Sequence, residues 1–207
     1  MYPVVDENNE VDEWILGWSL ECAVFDTKAD VIVMCVELAE KKGSFRDNLE
    51  RRLKGVTDKP VVIAASGNRN DSDPLTAKYP GIHPVVMMVG AVDRNKVRPD
   101  FSCYALNPEP QPALFVVAPG GVGPAENPLE SSVIAGDQAQ VGTSIAAAYA
   151  AGVVARSLAG VEEDRALPPQ SVVYKLFAAE AEKDRWPDWK EAEHGRGLIR
   201  QIDLPTP

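Results

Sequence analysis

Histidine is scarce in this chain: 207 residues contain only His83 and His194. Any imidazole base must therefore be one of these two. His83 lies in the turn-forming run Pro80-Gly81-Ile82-His83-Pro84, and His194 stands just before the glycines of Gly195-Arg196-Gly197. Both read as structural or solvated side chains. Cysteine is nearly as rare, and Cys22, Cys35 and Cys103 are odd in number with no CxxC spacing. They read as reduced and mostly buried thiols, since a free cysteine behaves as a small apolar residue. No apolar run reaches the roughly 18 residues of a membrane span, so no membrane partner is expected. The first residues, Met1-Tyr2-Pro3-Val4-Val5-Asp6-Glu7, lack the basic and apolar regions of a secretory signal. The expectation is a soluble protein, with an intracellular location slightly favoured. Positive charge is also in deficit, with 21 Lys and Arg against 31 Asp and Glu and a net charge of -10. Nucleic acid is excluded as a partner, because phosphates repel an acidic surface.

What the chain does contain fits one α/β domain. At 45% hydrophobic and 25% charged residues it is neither disordered nor membrane-like. Its length allows a single core of useful size. Asp12 to Asp26 reads as a helix, with Asp12 as cap and Trp14, Trp18, Cys22 and Phe25 recurring at helical spacing. Asp30 to Cys35, Pro60 to Ala65, Val85 to Gly90 and Leu114 to Val117 read as short buried strands. Helices are expected at Ser44 to Leu53, Ser144 to Leu158 and Pro169 to Ala181. The Gly-, Pro- and Glu-rich stretch from Pro119 to Gln138 reads as a surface excursion. Strands alternating with helices imply a mainly parallel sheet covered on both faces.

Two segments carry chemistry. Gly142-Thr143-Ser144 opens an alanine-rich helical run, which places the Ser144 hydroxyl at the positive end of a helix beside unpaired N–H groups. That position suits a nucleophile whose reaction generates an oxyanion, although an ordinary first-turn serine looks the same in isolation. Val61-Val62-Ile63-Ala64-Ala65 is a buried strand ending in Ser66-Gly67-Asn68. The loop at the carboxyl end of a parallel strand is where α/β proteins place functional groups, and the Asn68 carboxamide there is able to donate to an oxyanion. Three other segments are discounted. The acidic run Asp6 to Asp12 lacks the turn glycine and closing glutamate of a calcium loop. Asn70 to Pro74 is explained by turn chemistry. Gly120-Gly121-Val122-Gly123 has no Gly-Lys-Ser/Thr ending. No metal or cofactor is expected.

Taken in order, these blocks resemble the subtilisin-like serine peptidase family. The family's AAAGN strand, its YPA…VIAVGAVD…FS segment, its APG loop and its GTSMAAPHVAG helix match Ala64 to Asn68, Tyr79 to Phe101-Ser102, Ala118 to Gly120 and Gly142 to Gly152. Ala29 to Met34 is similar to the family's ADVINMS strand, Trp14 to Ala23 to the helix before it, and Gly195 to Ile199 to its closing GxGxV element. The resemblance implies a partial subtilisin-like fold. In it Ser144 is the nucleophile and Asn68 the oxyanion-hole donor, while Cys35, Val36, Glu37, Ser66 and Gly67 border the substrate. The substrate would be a polypeptide.

Family motifs are also missing. The aspartate of Asp-(Ser/Thr)-Gly and the histidine of HGTHVAG precede, in the family, the strand that Tyr2 to Val5 resembles. Neither motif is in this sequence, so residues 1–207 read as one domain truncated at its N-terminal side relative to the family. Where the family continues its strand as Ser-Leu-Gly along the primary specificity pocket, this chain has Cys35-Val36-Glu37. Ala148 and Tyr149 replace a family proline and histidine. Two functions follow from the resemblance: a portion of a serine endopeptidase that is inactive without the Asp and His segment, or a non-catalytic binding or scaffolding module. In either, Val31 to Met34 is expected at an open sheet edge, or covered by Tyr2 to Val5, with self-association through the edge if it stays open.

Overall fold

The computed structural model describes residues 11–26, 29–38, 60–69, 76–104, 112–121, 134–135, 138–159, 170–183 and 185–202. Helix α1 (Glu13–Glu21) runs into a π-helical turn, Cys22–Asp26, and is followed by strands β1 (Val31–Met34), β2 (Val61–Ala65), β3 (Val86–Val92) and β4 (Leu114–Pro119). A small antiparallel pair, β5 (Ile134–Ala135) with β6 (Gln138–Ala139), precedes the long helix α2 (Thr143–Leu158). Helix α3 (Gln170–Glu182) and the one-turn α4 (Glu191–His194) complete the order. The helix expected at Ser44 to Leu53, the turn at Asn70 to Pro74 and the strand resemblance at Tyr2 to Val5 lie outside the described residues, as do most of Pro119 to Gln138.

The four main strands are parallel and stand in the order β1-β2-β3-β4, with Val31 opposite Val61, Val62 opposite Val86, and Met87 opposite Leu114. Every residue of β2 and β3 is buried, as continuous apolar runs covered on both faces require. The odd-numbered side chains of β2 and β3, with Leu114, Val116 and Ala118, meet Ala146, Ala147, Ala150 and Val154 of α2 and Val173 and Phe177 of α3. On the opposite face Val62, Ala64 and Val86 pack with Leu16 and Leu20 of α1. Alanines at the packed positions of α2 let this helix lie close against the sheet. Tyr174 ties α3 to the strands: its hydroxyl lies 3.0 Å from the carbonyl oxygens of both Val62 and Val85, and burial pushes its ionisation well above that of a free phenol.

Asp12 caps α1 as its sequence suggests, its Oδ1 accepting the N–H groups of Trp14 and Ile15 at 2.9 and 3.0 Å. The packed stripe of that helix differs from the aromatic one. Leu16 and Leu20 are inside, while Trp14, Trp18 and Phe25 are 70%, 60% and 65% exposed. The aromatic spacing is helical, but a stripe is buried only where the sheet lies beneath it. The cysteines also divide: Cys103 is buried, Cys22 is half-buried and Cys35 is exposed, which corrects the expectation that they are mostly buried. Among the described residues β1 has a strand neighbour on one side alone, and Val33 is 41% exposed.

Candidate active site

Parallel pairing puts the carboxyl ends of β1 and β2 side by side, since Met34 is opposite Ala64. The segments that leave these ends, Cys35 to Leu38 and Ser66 to Arg69, meet the start of α2. Gly142 precedes that helix with φ 141°, in the region that favours glycine, and its N–H donates to the Gly120 carbonyl oxygen at 2.8 Å. Gly120 is in turn held by the Val92 carbonyl at 3.0 Å. The helix start is thus suspended from the ends of β3 and β4.

No side chain of its own caps α2. Asn68 does so from across the site: its Oδ1 accepts the Thr143 N–H at 2.9 Å and the Thr143 hydroxyl at 3.2 Å. A backbone N–H only donates, so this contact fixes which end of the carboxamide is oxygen. Asn68 Nδ2 has no hydrogen bond among the described residues. Ser144 follows Thr143 in the first turn and is half-buried. Its N–H, one of those a helix start cannot satisfy internally, also has no partner among the described residues. The structure therefore brings Asn68 and Ser144 to one place, although 75 residues separate Asn68 from its direct partner Thr143.

The neighbours fall out as follows. Cys35 Sγ lies 3.4 Å from the Ser144 carbonyl oxygen, and burial of the sulfur against α2 pushes the thiol up from its ordinary value. Val36 is half-buried and packs toward Leu16 and Leu20. Glu37 has a partner at each carboxylate oxygen. Its Oε2 accepts the Asn68 main-chain N–H at 3.4 Å, and its Oε1 lies 3.5 Å from Lys78 Nζ. Gly67 is buried with φ 104°. Ser66 is fully buried, and its hydroxyl donates to the Cys103 carbonyl oxygen at 2.7 Å, so that side chain serves the packing of the loop.

Sequence reasoning passed over what braces this loop from behind. The Arg69 N–H donates to Phe101 O at 2.7 Å, and Cys103 N–H to Gly67 O at 3.1 Å. Ser102 Oγ accepts the Ala91 N–H at 2.9 Å, while Arg98 Nη1 donates to the carbonyls of Pro99 and Ser102, both at 2.9 Å. The Phe101-Ser102 motif was the available signal, but no pattern announces Arg98. The two histidines are engaged in their own loops. His83 is buried edge-on to Tyr79 and its Nδ1 accepts the Val85 N–H at 3.3 Å. His194 is buried edge-on to Trp186, beyond β4. Among the described residues no group of three His, Cys, Asp or Glu side chains is placed to hold a metal ion. No helix among them is long and apolar enough to cross a membrane.

A strand-end asparagine holding the first turn of a helix whose second residue is serine is the arrangement the motifs implied. The profile of the subtilase family matches residues 2–181. The chain belongs to the subtilase family. Solved structures that it resembles include the prenylagaramide maturation protease PagA, with a TM-score of 0.70 and 24% identity over 96% of this chain and 68% of that one. A lanthipeptide protease has a TM-score of 0.74 and 17% identity, covering 96% of this chain and 67% of its own. The patellamide maturation protease PatA has 0.72 and 22%, covering 96% and 70%. At these identities the likenesses establish the fold. No curated protein matches the chain. Membership places the chain in a family of subtilisin-like serine proteases, and it has the α/β architecture of the structures it resembles.

Proposed function

We propose that this subtilase chain provides the nucleophile and the oxyanion site of a serine endopeptidase, and that the histidine base and its aspartate come from polypeptide outside these 207 residues. The observation that carries the reading is the clamp of Asn68 Oδ1 on Thr143, the residue before Ser144, with Asn68 Nδ2 and the Ser144 N–H left without hydrogen-bond partners among the described residues. In the reaction Ser144 Oγ attacks the scissile carbonyl of a polypeptide, and the tetrahedral oxyanion accepts from these two donors near the positive end of α2. The peptide lies along Cys35 to Glu37 and Ser66-Gly67. A serine hydroxyl without a base is a weak nucleophile at neutral pH, so the chain alone is inactive. Loss of the serine or histidine from a complete triad lowers turnover by roughly 10⁶-fold.

A fluorophosphonate probe tests this directly. The chain alone should label no faster than Ser144→Ala. Adding a polypeptide that bears the family's Asp-(Ser/Thr)-Gly and HGTHVAG motifs should produce labelling at Ser144. Rapid labelling of the chain alone would reveal a base within it. No labelling after complementation would leave the second reading, a non-catalytic binding or scaffolding module, for which the departure to Cys35-Val36-Glu37 speaks.

A further inference from the structure

The asparagine that this reading makes an oxyanion donor is held at both its side chain and its main chain. Thr143 fixes the side chain of Asn68. Its main-chain N–H donates to the Glu37 carboxylate at 3.4 Å. Glu37 is in turn 3.5 Å from Lys78 Nζ. Between them, a Cβ on Gly67 would fall 2.5 Å from Lys78 Cγ and 3.5 Å from Glu37 Oε2. The absence of that carbon, and the φ of 104° it permits, let the Lys78 stem run against the loop and bring its ammonium to the carboxylate. Lys78 is itself fixed to the same loop, its N–H donating to Ser66 O at 2.8 Å. Glu37, Gly67, Asn68 and Lys78 thus interlock.

We propose that Glu37 and Lys78 act as a positioning pair that holds the Gly67-Asn68 peptide so that the Asn68 carboxamide stays docked on Thr143. The proposal rests on the reading of Asn68 as the oxyanion donor. A carboxylate accepting a main-chain N–H makes a stronger bond than a neutral acceptor does. At 3.4 Å it is at the long end of the hydrogen-bond range, and both side chains are partly exposed, so the effect is modest and local. The lysine also has an electrostatic task. A lone carboxylate beside Asn68 would oppose the negative charge of an oxyanion, and Lys78 neutralises it. The Ser-Leu-Gly that the family carries here offers neither contact, so in this chain the pair replaces a close backbone approach with a side-chain brace.

The test is amide exchange with solvent, measured by saturation-transfer NMR on the whole chain. It compares the native protein with Glu37→Ala, Glu37→Gln and Lys78→Met. Removing the acceptor in Glu37→Ala should speed exchange at the Asn68 and Thr143 N–H groups by about twofold, the low end of the effect of one hydrogen bond. Amides inside β2 and β3, such as Ile63 and Val89, should be unaffected. Glu37→Gln keeps an acceptor oxygen and should recover most of the protection, and Lys78→Met should fall between native and Glu37→Ala. Native exchange rates at Asn68 and Thr143 in Glu37→Ala would overturn the proposal. So would a uniform rise that includes Ile63 and Val89, which would mean general destabilisation. If Glu37→Ala does not fold, Lys78→Met decides by the same comparison. No reaction enters this measurement: failed labelling of Ser144 would defeat the catalytic reading alone, and unchanged exchange would defeat the positioning pair alone.

Discussion

Asn68 caps a helix in this structure and is the oxyanion donor in the proposed reaction, and substitution divides the two. Its Oδ1 is the only cap on the first turn of α2 among the described residues, and it also receives the hydroxyl of Thr143, a residue with no exposed surface. In Asn68→Ala the Thr143 N–H loses its cap, which costs about 1 kcal/mol. The Thr143 hydroxyl is left buried without that acceptor, which adds up to about 1 kcal/mol. The sum, about 1–2 kcal/mol, corresponds to a fall of roughly 3–6 °C in the thermal midpoint of a domain this size. Asn68→Asp keeps an acceptor of the same shape. The carboxylate gains from the helix dipole and loses to the neighbouring Glu37, two opposing effects each of about 0.5 kcal/mol, so its midpoint should stay close to native. Both variants lose the Nδ2 donor, and in the complemented enzyme both should lower peptide hydrolysis by roughly 10²–10³-fold. Calorimetry and turnover on the same preparations check the pair. An unchanged midpoint in Asn68→Ala would show that the Thr143 contacts do not form. Native turnover in Asn68→Asp would show that Asn68 donates nothing to the reaction.

Two further outcomes are expected. His194 Nδ1 lies 3.0 Å from the Lys190 nitrogen and 3.1 Å from the Lys190 carbonyl oxygen, and burial holds its pKa below the ordinary value. The unfolded chain therefore takes up a proton near pH 6.5 that the folded chain resists. The stabilisation is complete above that pH and is lost as pH falls through the lowered folded value. Urea midpoints from pH 7.5 to 5 should fall less in His194→Gln than in the native chain, and equal slopes would refute the assignment. The side of β1 that has no strand neighbour among the described residues should make the chain self-associate, since an apolar edge templates pairing. Light scattering should give a mass that rises with concentration and returns toward the monomer in Val33→Lys, whereas a native monomer at all concentrations would show that the edge is protected.

Much of the fold was legible because its strands are buried on both faces. Val61 to Ala65 and Val86 to Val92 must be apolar throughout, and a continuous apolar run bounded by turn residues can be read without knowing its neighbours. Asp12 was legible for a local reason, since a cap and the amides it holds lie within three residues. The long helix α2 and the serine in its first turn were legible too, because alanine is the strongest helix former and the glycine ahead of it marks the break. Motif order then supplied the family.

What escaped the sequence depends on surfaces that meet across long separations. The stripe of α1 that is buried was decided by the sheet beneath it, so Trp14 and Trp18 face outward while Leu16 and Leu20 pack. The partner of Glu37 was decided by a φ of 104° at Gly67 and the course of the Lys78 stem, neither of which leaves a spacing in the chain. Ser66 turned its hydroxyl inward because a buried carbonyl at Cys103 needed a donor there. Residue types and local periodicity determined which segments are strands and helices, and motif order determined which family they compose. Only tertiary structure decided which polar atoms are consumed in holding the fold and which, like Asn68 Nδ2, have no hydrogen bond among the described residues, because a hydrogen bond is assigned by position in space and not along the chain.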